Sequence, residues 1–279
     1  MGKALDAGMN RVNIIAVGNE ILTGRVLDTN SNWLAKAITA LGGEVARCVT
    51  VRDVVDEIAQ EVRTAVASTA RIVITTGGLG PTSDDRTLEG VARAADQPLV
   101  LHAEALEWVI QKYEEFKKKG YVDSDDITPG REKMAHLPDS STPLPNSLGA
   151  APGVMLESKR CTLFCLPGVP AEMKGMFTEH VEERLRTIFG PRAVVEQNVT
   201  TDVGDESTLV PIIDAVMKGV DGVYLKSKPT HFGRDVRIGI CITASADAED
   251  EARAEVKRAV AELEGRLRTI GQSIVDYEK

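Results

Sequence analysis

No stretch of this chain approaches the roughly 18 consecutive apolar residues that a membrane-spanning helix needs. Its first ten residues lack the apolar centre of a secretory signal, and position 6 is Asp where N-myristoylation of Gly2 would call for Ser or Thr. The expectation is a soluble, cytoplasmic protein with no membrane partner. Positive charge is in deficit: 33 Lys and Arg against 42 Asp and Glu leave a net charge of −9. That sign disfavours a nonspecific role on nucleic acid or on an anionic membrane, while leaving room for a local basic pocket. Cysteine is sparse too. Cys48, Cys161, Cys165 and Cys241 are scattered, and no C-x-x-C pair or Cys/His set completes a zinc site. Reduced thiols in the core of a cytosolic protein are the expectation for them.

What is present is a glycine-rich turn, Thr75-Thr76-Gly77-Gly78-Leu79-Gly80-Pro81-Thr82-Ser83-Asp84-Asp85. The apolar run Arg71 to Ile74 before it reads as a buried strand, and Arg86 to Ala95 after it reads as a helix. Three glycines in four positions let the backbone bend sharply and approach a ligand, since no Cβ intervenes. N–H groups exposed in such a turn, with a helix N-terminus behind them, suit a phosphate. Asp84 and Asp85 put negative charge beside that anion site, a conflict relieved by a divalent cation between carboxylate and phosphate. The same residues also have a purely structural reading. Thr82 or Ser83 would then be an N-cap, with the aspartates favoured by the helix dipole.

Further strands are read at Val12 to Val17, ending in Gly18-Asn19-Glu20, and at Val45 to Val51. Helices are read from Thr29 to Leu41, with Asp28 as N-cap, and after Asp53 on a stripe of Val54, Ile58, Val62 and Val66. Strands that are continuous apolar runs, alternating with helices, indicate a parallel sheet covered on both faces. Right-handed crossovers bring the strand C-termini to one edge, where doubly wound sheets bind ligands. The chain continues through a helix (His102 to Lys119), a short helix (Arg131 to His136) and a loop (Pro138 to Ser147). A small-residue run, Asn146 to Gly153, then precedes a hairpin of Val154 to Glu157 and Cys161 to Leu166. Pro167-Gly168-Val169-Pro170 leads into a helix whose stripe is Val169, Met173, Phe177, Val181, Leu185 and Ile188. Gly190-Pro191 marks a domain boundary. Beyond it a β-α-β-β-α order fits a small α+β module, with a final helical stripe from Ala252 to Ile270. Gly219-Val220-Asp221-Gly222 has the G-x-x-G form of an RNA-clamping loop, but Asp221 has the wrong sign and a strand follows, so nucleic acid is disfavoured. Lys226, Lys228, His231, Arg234 and Arg237 form a basic patch around Pro229 and Gly233 that reads as a solvated hairpin tip.

Five motifs in this order carry a family resemblance: Gly18 to Gly24, Asp28-Thr29-Asn30, Thr76 to Asp85, Asn146 with Gly149 to Gly153, and Leu166 to Met173. Together they resemble the N-terminal region of the competence/damage-inducible CinA family, within the MoaB/Mog-like molybdopterin-binding superfamily. The resemblance implies an α/β fold: a three-layer α/β/α domain with a mostly parallel sheet over residues 11–190. A flexible tail (1–10) would precede it and a small α+β, KH-like domain (191–279) would follow it, in a homodimer. It also implies hydrolysis of ADP-ribose at its diphosphate, dependent on a divalent metal such as Mg²⁺ and on K⁺. Two departures qualify that. Asn19 stands where the CinA pattern commonly has Asp, and the nicotinamide mononucleotide deamidase domain of full-length CinA is not part of this sequence, so that activity is not expected.

On this reading Gly77, Gly78 and Gly80 offer N–H groups to a phosphate beside Leu79, and Thr82 adds a hydroxyl. Asp84 or Asp85 would hold the metal, and Glu20 would ligate it or activate water, unless Glu20 is merely a first-turn cap. Gly18 and Asn19 border the phosphate, while Asn146, Gly149, Gly153, Pro167, Gly168 and Pro170 shape the wall for adenosine or ribose. Two alternatives use the same loops. One is a molybdopterin-binding or molybdopterin adenylyltransferase-type protein of molybdenum cofactor synthesis; the other is a module that binds a nucleotide or pterin without turnover. Leu79 argues against the molybdenum branch, whose loop usually carries Thr there.

Overall fold

In the structure, a computed structural model, residues 10–158, 160–190, 192–229 and 237–278 are described. Met1 to Met9, Lys159, Pro191 and the patch residues His231, Gly233 and Arg234 lie outside them. The chain forms two units, one running to Phe189 apart from Ala40–Gly42, the other taking those three residues and the chain from Gly190 onward.

In the first unit the order is β1 (Arg11–Val17), α1 (Asn19–Leu22), α2 (Thr29–Ala40), β2 (Glu44–Val51), α3 (Val55–Ala67), β3 (Ile72–Thr76) and α4 (Thr87–Ala94). There follow β4 (Leu99–Leu101), α5 (Ala103–Lys118), α6 (Pro129–Lys133), β5 (His136–Pro138), β6 (Thr142–Leu144), β7 (Gly153–Glu157) and β8 (Thr162–Leu166). The unit closes with α7 (Pro170–Met176), a π turn (Phe177–Val181) and α8 (Glu182–Phe189). Six strands form one sheet in the order β2-β1-β3-β8-β7-β6, with parallel pairing from β2 to β8 and antiparallel pairing at β7 and β6. β1, β3 and β8 are apolar on both faces because helices cover both: Ile14, Ile15, Ile72, Ile74, Phe164 and Leu166 are fully buried. This is the expected mostly parallel α/β domain.

Several expectations are corrected locally. Asp53 does not cap α3; Val54 occupies that position without a side-chain bond, and Val55 rather than Val54 faces the core. The short helix stops at Lys133, and His136 begins a strand paired with β4. The loop from Pro138 contains β6. The π turn carries the stripe on in steps of four through Phe177, Val181 and Leu185, so Phe189 is buried in place of Ile188, and Val169 is exposed. Cys161 and Cys165 are buried, burial pushing their thiols up to about 11 and about 12, but Cys48 is exposed rather than a core thiol.

The second unit contains β9 (Ala193–Thr201), α9 (Glu206–Gly219), β10 (Val223–Pro229), β11 (Ile238–Ala246), α10 (Glu249–Thr269) and β12 (Ile274–Glu278). Its sheet order is β10-β11-β9-β12, wholly antiparallel in the paired strands. Leu209, Ile212 and Val216 of α9 and Val256, Leu263 and Leu267 of α10 pack into one core with the sheet. β12 extends the expected order by one strand, and Ile270, expected on the α10 stripe, is exposed.

Candidate functional site

The site is built by alignment of strand ends. Ala16 pairs with Thr76, and Thr76 with Leu166, so β1, β3 and β8 release their loops at one level. Hydrogen bonds then sew the loops together. Gly77 N–H donates to the Leu166 carbonyl (3.0 Å), and the Thr76 hydroxyl donates to the Pro167 carbonyl (3.0 Å). From the start of α2, the Asn30 amide donates both to Thr76 Oγ1 (3.0 Å) and to the Gly168 carbonyl (2.8 Å). Its Oδ1 is buried without a partner among the described residues. Gly77 is required here for a steric reason. With φ at 102°, a Cβ would sit 2.2 Å from the Val17 carbonyl oxygen.

The result is a cleft of about 490 Å³. Glu20, the Gly77–Gly80 run, Asp84, Asp85, Pro167, Gly168 and Pro170 all line it. Glu20, Gly78 and Gly168, from three separate loops, therefore open onto one hollow. The N–H of Gly77 is already spent on Leu166, so it does not serve a phosphate as expected. Those of Gly78, Leu79 and Gly80 meet no acceptor among the described residues.

The other expected residues lie behind the wall. Asn19 N–H donates to Asp53 Oδ2 (2.7 Å), and Gly18 sits beneath the Glu20 carboxylate. The Thr82 hydroxyl is held between the carboxylates of Asp84 and Asp85, and its N–H donates to Asp85 Oδ2 (2.9 Å). Asn146 satisfies its own loop. Its amide donates to the Ala151 carbonyl (3.0 Å) and Glu172 Oε2 (2.8 Å), while its Oδ1 accepts from Leu148 N–H and Gly149 N–H. Gly149 lies against Glu172, and Gly153 is buried in β7 against Met176 and the Cys165 carbonyl.

Three residues at or behind the cleft were missed. Asp53 and Asn30 line it, and Lys133 stands behind the glycine loop, its ammonium on three loop carbonyls. Asn30 had a signal in the Asp28-Thr29-Asn30 motif; Asp53 looked like a helix cap, and Lys133 had no local signal at all.

Charge explains much of the electrostatics. Burial raises the Asp53 carboxyl above its ordinary value, and the nearby Glu20 and Asp84 charges add to this against the Asn19 bond. The Thr82 hydroxyl, with help from Lys133, lowers that of Asp84. Burial lowers the Lys133 ammonium in spite of Asp85, Glu89 and Asp84 around it. Among the described residues no three His, Cys, Asp or Glu side chains converge to hold a metal.

The profile of the family described as "Probable molybdopterin binding domain" matches residues 13–187. A protein of Aeropyrum pernix is 43% identical over 96% of this chain and 97% of its own length. One from Pyrococcus horikoshii is 42% identical over 84% of this chain and 89% of its own. Among solved structures, the protein CinA from Thermoplasma acidophilum is 37% identical with a TM-score of 0.57, over 63% of this chain and 98% of that one.

Proposed function

The chain belongs to the family of probable molybdopterin-binding domains, the MoaB/Mog-like family, and from that premise we propose that its cleft binds the phosphorylated end of a pterin of the molybdopterin type. The observation that carries this is the row of Gly78, Leu79 and Gly80 N–H groups, unclaimed among the described residues, in the wall of a cleft large enough for a pterin or nucleotide. Asp84 and Asp85 would share a divalent ion such as Mg²⁺ with the phosphate. Adenylyl transfer, in which a phosphate oxygen of the bound pterin attacks the α-phosphorus of ATP and pyrophosphate leaves, is the reaction such a site could support, because the work needed is positioning and charge neutralisation. A homodimer acting in the cytoplasm completes the proposal, checked by light scattering on the purified protein. Among the described residues no helix is long and apolar enough to cross a membrane.

A second reading, hydrolysis of ADP-ribose to AMP and ribose 5-phosphate, is favoured by the carboxylates of Glu20, Asp53 and Asp84 in the same wall. In it, Glu20 would activate water and K⁺ would assist. One experiment separates the readings: purified protein with molybdopterin, molybdopterin plus ATP, or ADP-ribose, with Mg²⁺ and K⁺ varied. Retained pterin supports binding, and an adenylylated pterin supports transfer. AMP released from ADP-ribose supports hydrolysis. Neither retention nor product in any arm removes both readings.

A further inference from the structure

The glycine loop has a second side. A hollow of about 40 Å³ shares Gly78, Leu79, Gly80 and Asp85 with the large cleft and is lined in addition by Leu88, Lys133 and His136. Lys133 Nζ donates there to the carbonyls of Gly80 (3.1 Å), Thr82 (2.7 Å) and Asp85 (2.5 Å). An ammonium has three N–H donors and no acceptor, so three carbonyls saturate it. α6 is fixed to present it. Thr128 caps the helix through Arg131 N–H, Pro129 sets its first turn, and the Arg131 guanidinium lies 3.7 Å from the centre of the Tyr113 ring. At Gly130 a Cβ would stand 2.9 Å from the Pro81 carbonyl oxygen, so the helix runs directly against the loop.

We propose that Lys133 is the built-in cation of this loop, a positioning residue that gathers three carbonyls on one side so that loop N–H groups remain free for an anionic ligand. Among the described residues the peptide bonds are trans, so a carbonyl turned toward Lys133 sends the N–H of the following residue the other way. For Thr82 and Asp85 those are the N–H groups of Ser83 and Arg86, which meet no acceptor among the described residues. Without the ammonium, three carbonyl dipoles would face one another uncompensated beside Asp84, Asp85 and Glu89. The loop would then relieve them by turning the Gly80, Thr82 and Asp85 peptide units, which redirects the Ser83 and Arg86 N–H groups and releases the Gly80 end of the Gly78–Gly80 row. This rests on the reading of the cleft as an anion site.

The test is calorimetric titration with ADP in the presence of Mg²⁺, comparing wild type with Lys133→Met and Lys133→Arg. Lys133→Met should weaken ADP binding at least 10-fold, and Lys133→Arg, which keeps charge and donors, should lose less. Methylammonium, small enough for the carbonyl cage, should restore much of the loss in Lys133→Met, whereas tetramethylammonium at equal ionic strength, with no N–H, should not. A merely structural lysine would show no such selectivity. Unchanged binding by Lys133→Met, or equal rescue by both ions, overturns the proposal. Should Lys133→Met fail to fold, acetylation of the wild type read by mass spectrometry decides: Lys133 is protected relative to exposed lysines, and rapid modification with ADP binding intact overturns the role. If wild-type protein binds neither ADP nor pterin, the reading of the cleft fails first and this one with it.

Discussion

Two loops rich in small residues end in the same neighbourhood of the first unit and do opposite things. The Gly77–Asp85 loop keeps the N–H groups of Gly78, Leu79 and Gly80 without an acceptor among the described residues, and holds two carboxylates in the wall of the cleft. The Asn146–Gly153 loop closes on itself. Its asparagine makes four hydrogen bonds, and every one goes to protein. Buried polar groups must find partners, and a loop that supplies them internally is finished as structure. A loop whose donors find no acceptor in the protein has hydrogen-bonding capacity to spare. Composition alone does not separate the two; the destination of each polar group does.

The sharpest way to break this contrast is to add a single methyl group to each loop. Gly77→Ala drives a Cβ into the Val17 carbonyl at a φ of 102°, where neither backbone can yield. It should cost roughly 3 kcal/mol or more, read as a lower urea midpoint. Gly149→Ala meets first the Glu172 carboxylate, the far end of a flexible side chain, and should cost about 1 kcal/mol. Equal losses would show that the two loops are under the same steric constraint.

Side-chain deletions should separate the loops by readout as well as by size. Asp84→Asn and Asp85→Asn, made singly, should lower turnover of the processed substrate on the order of 10²-fold with little change in melting. Full turnover in both would remove any metal role for the pair. Asn146→Ala should do the reverse. It strands the N–H groups of Leu148 and Gly149 and should cost about 2 kcal/mol of stability, while ADP affinity stays within about twofold. A large affinity loss at unchanged stability would make Asn146 a ligand contact after all.

The convergence of the three loops was legible because it follows from strand chemistry. Continuous apolar runs at Ile14, Ile74 and Phe164 demand a doubly covered parallel sheet, and parallel strands joined by right-handed crossovers end on one side. The roles within the loops were less legible. Lys133 reaches carbonyls 48 to 53 positions away along the chain, a relation that no local pattern carries. Asp53 sits where a helix cap would, yet its carboxylate turns to Asn19 because that N–H, at the start of the four-residue α1, needs an acceptor. β4, β5 and β6 are three residues each, two of them containing proline, too short for a period to register.

Asp53 offers the finest test, since it lies on the unfinished side of the comparison. Its carboxyl is raised from the usual value by burial and by the Glu20 and Asp84 charges, so the ionised form is less favourable in the folded protein than in the unfolded chain. That cost is fully present above the folded-state value and vanishes as the pH falls below the unfolded value near 3.8. Asp53→Asn keeps an acceptor for the Asn19 N–H and removes the charge. It should therefore melt about 1–3 °C higher than wild type at pH 7, with the advantage shrinking as the pH is lowered toward 4. Measured across that range, a variant that is less stable at pH 7 would mean that the bond from Asn19 outweighs the repulsion. Asp53 would then belong with Asn146 among the groups whose demands are already met.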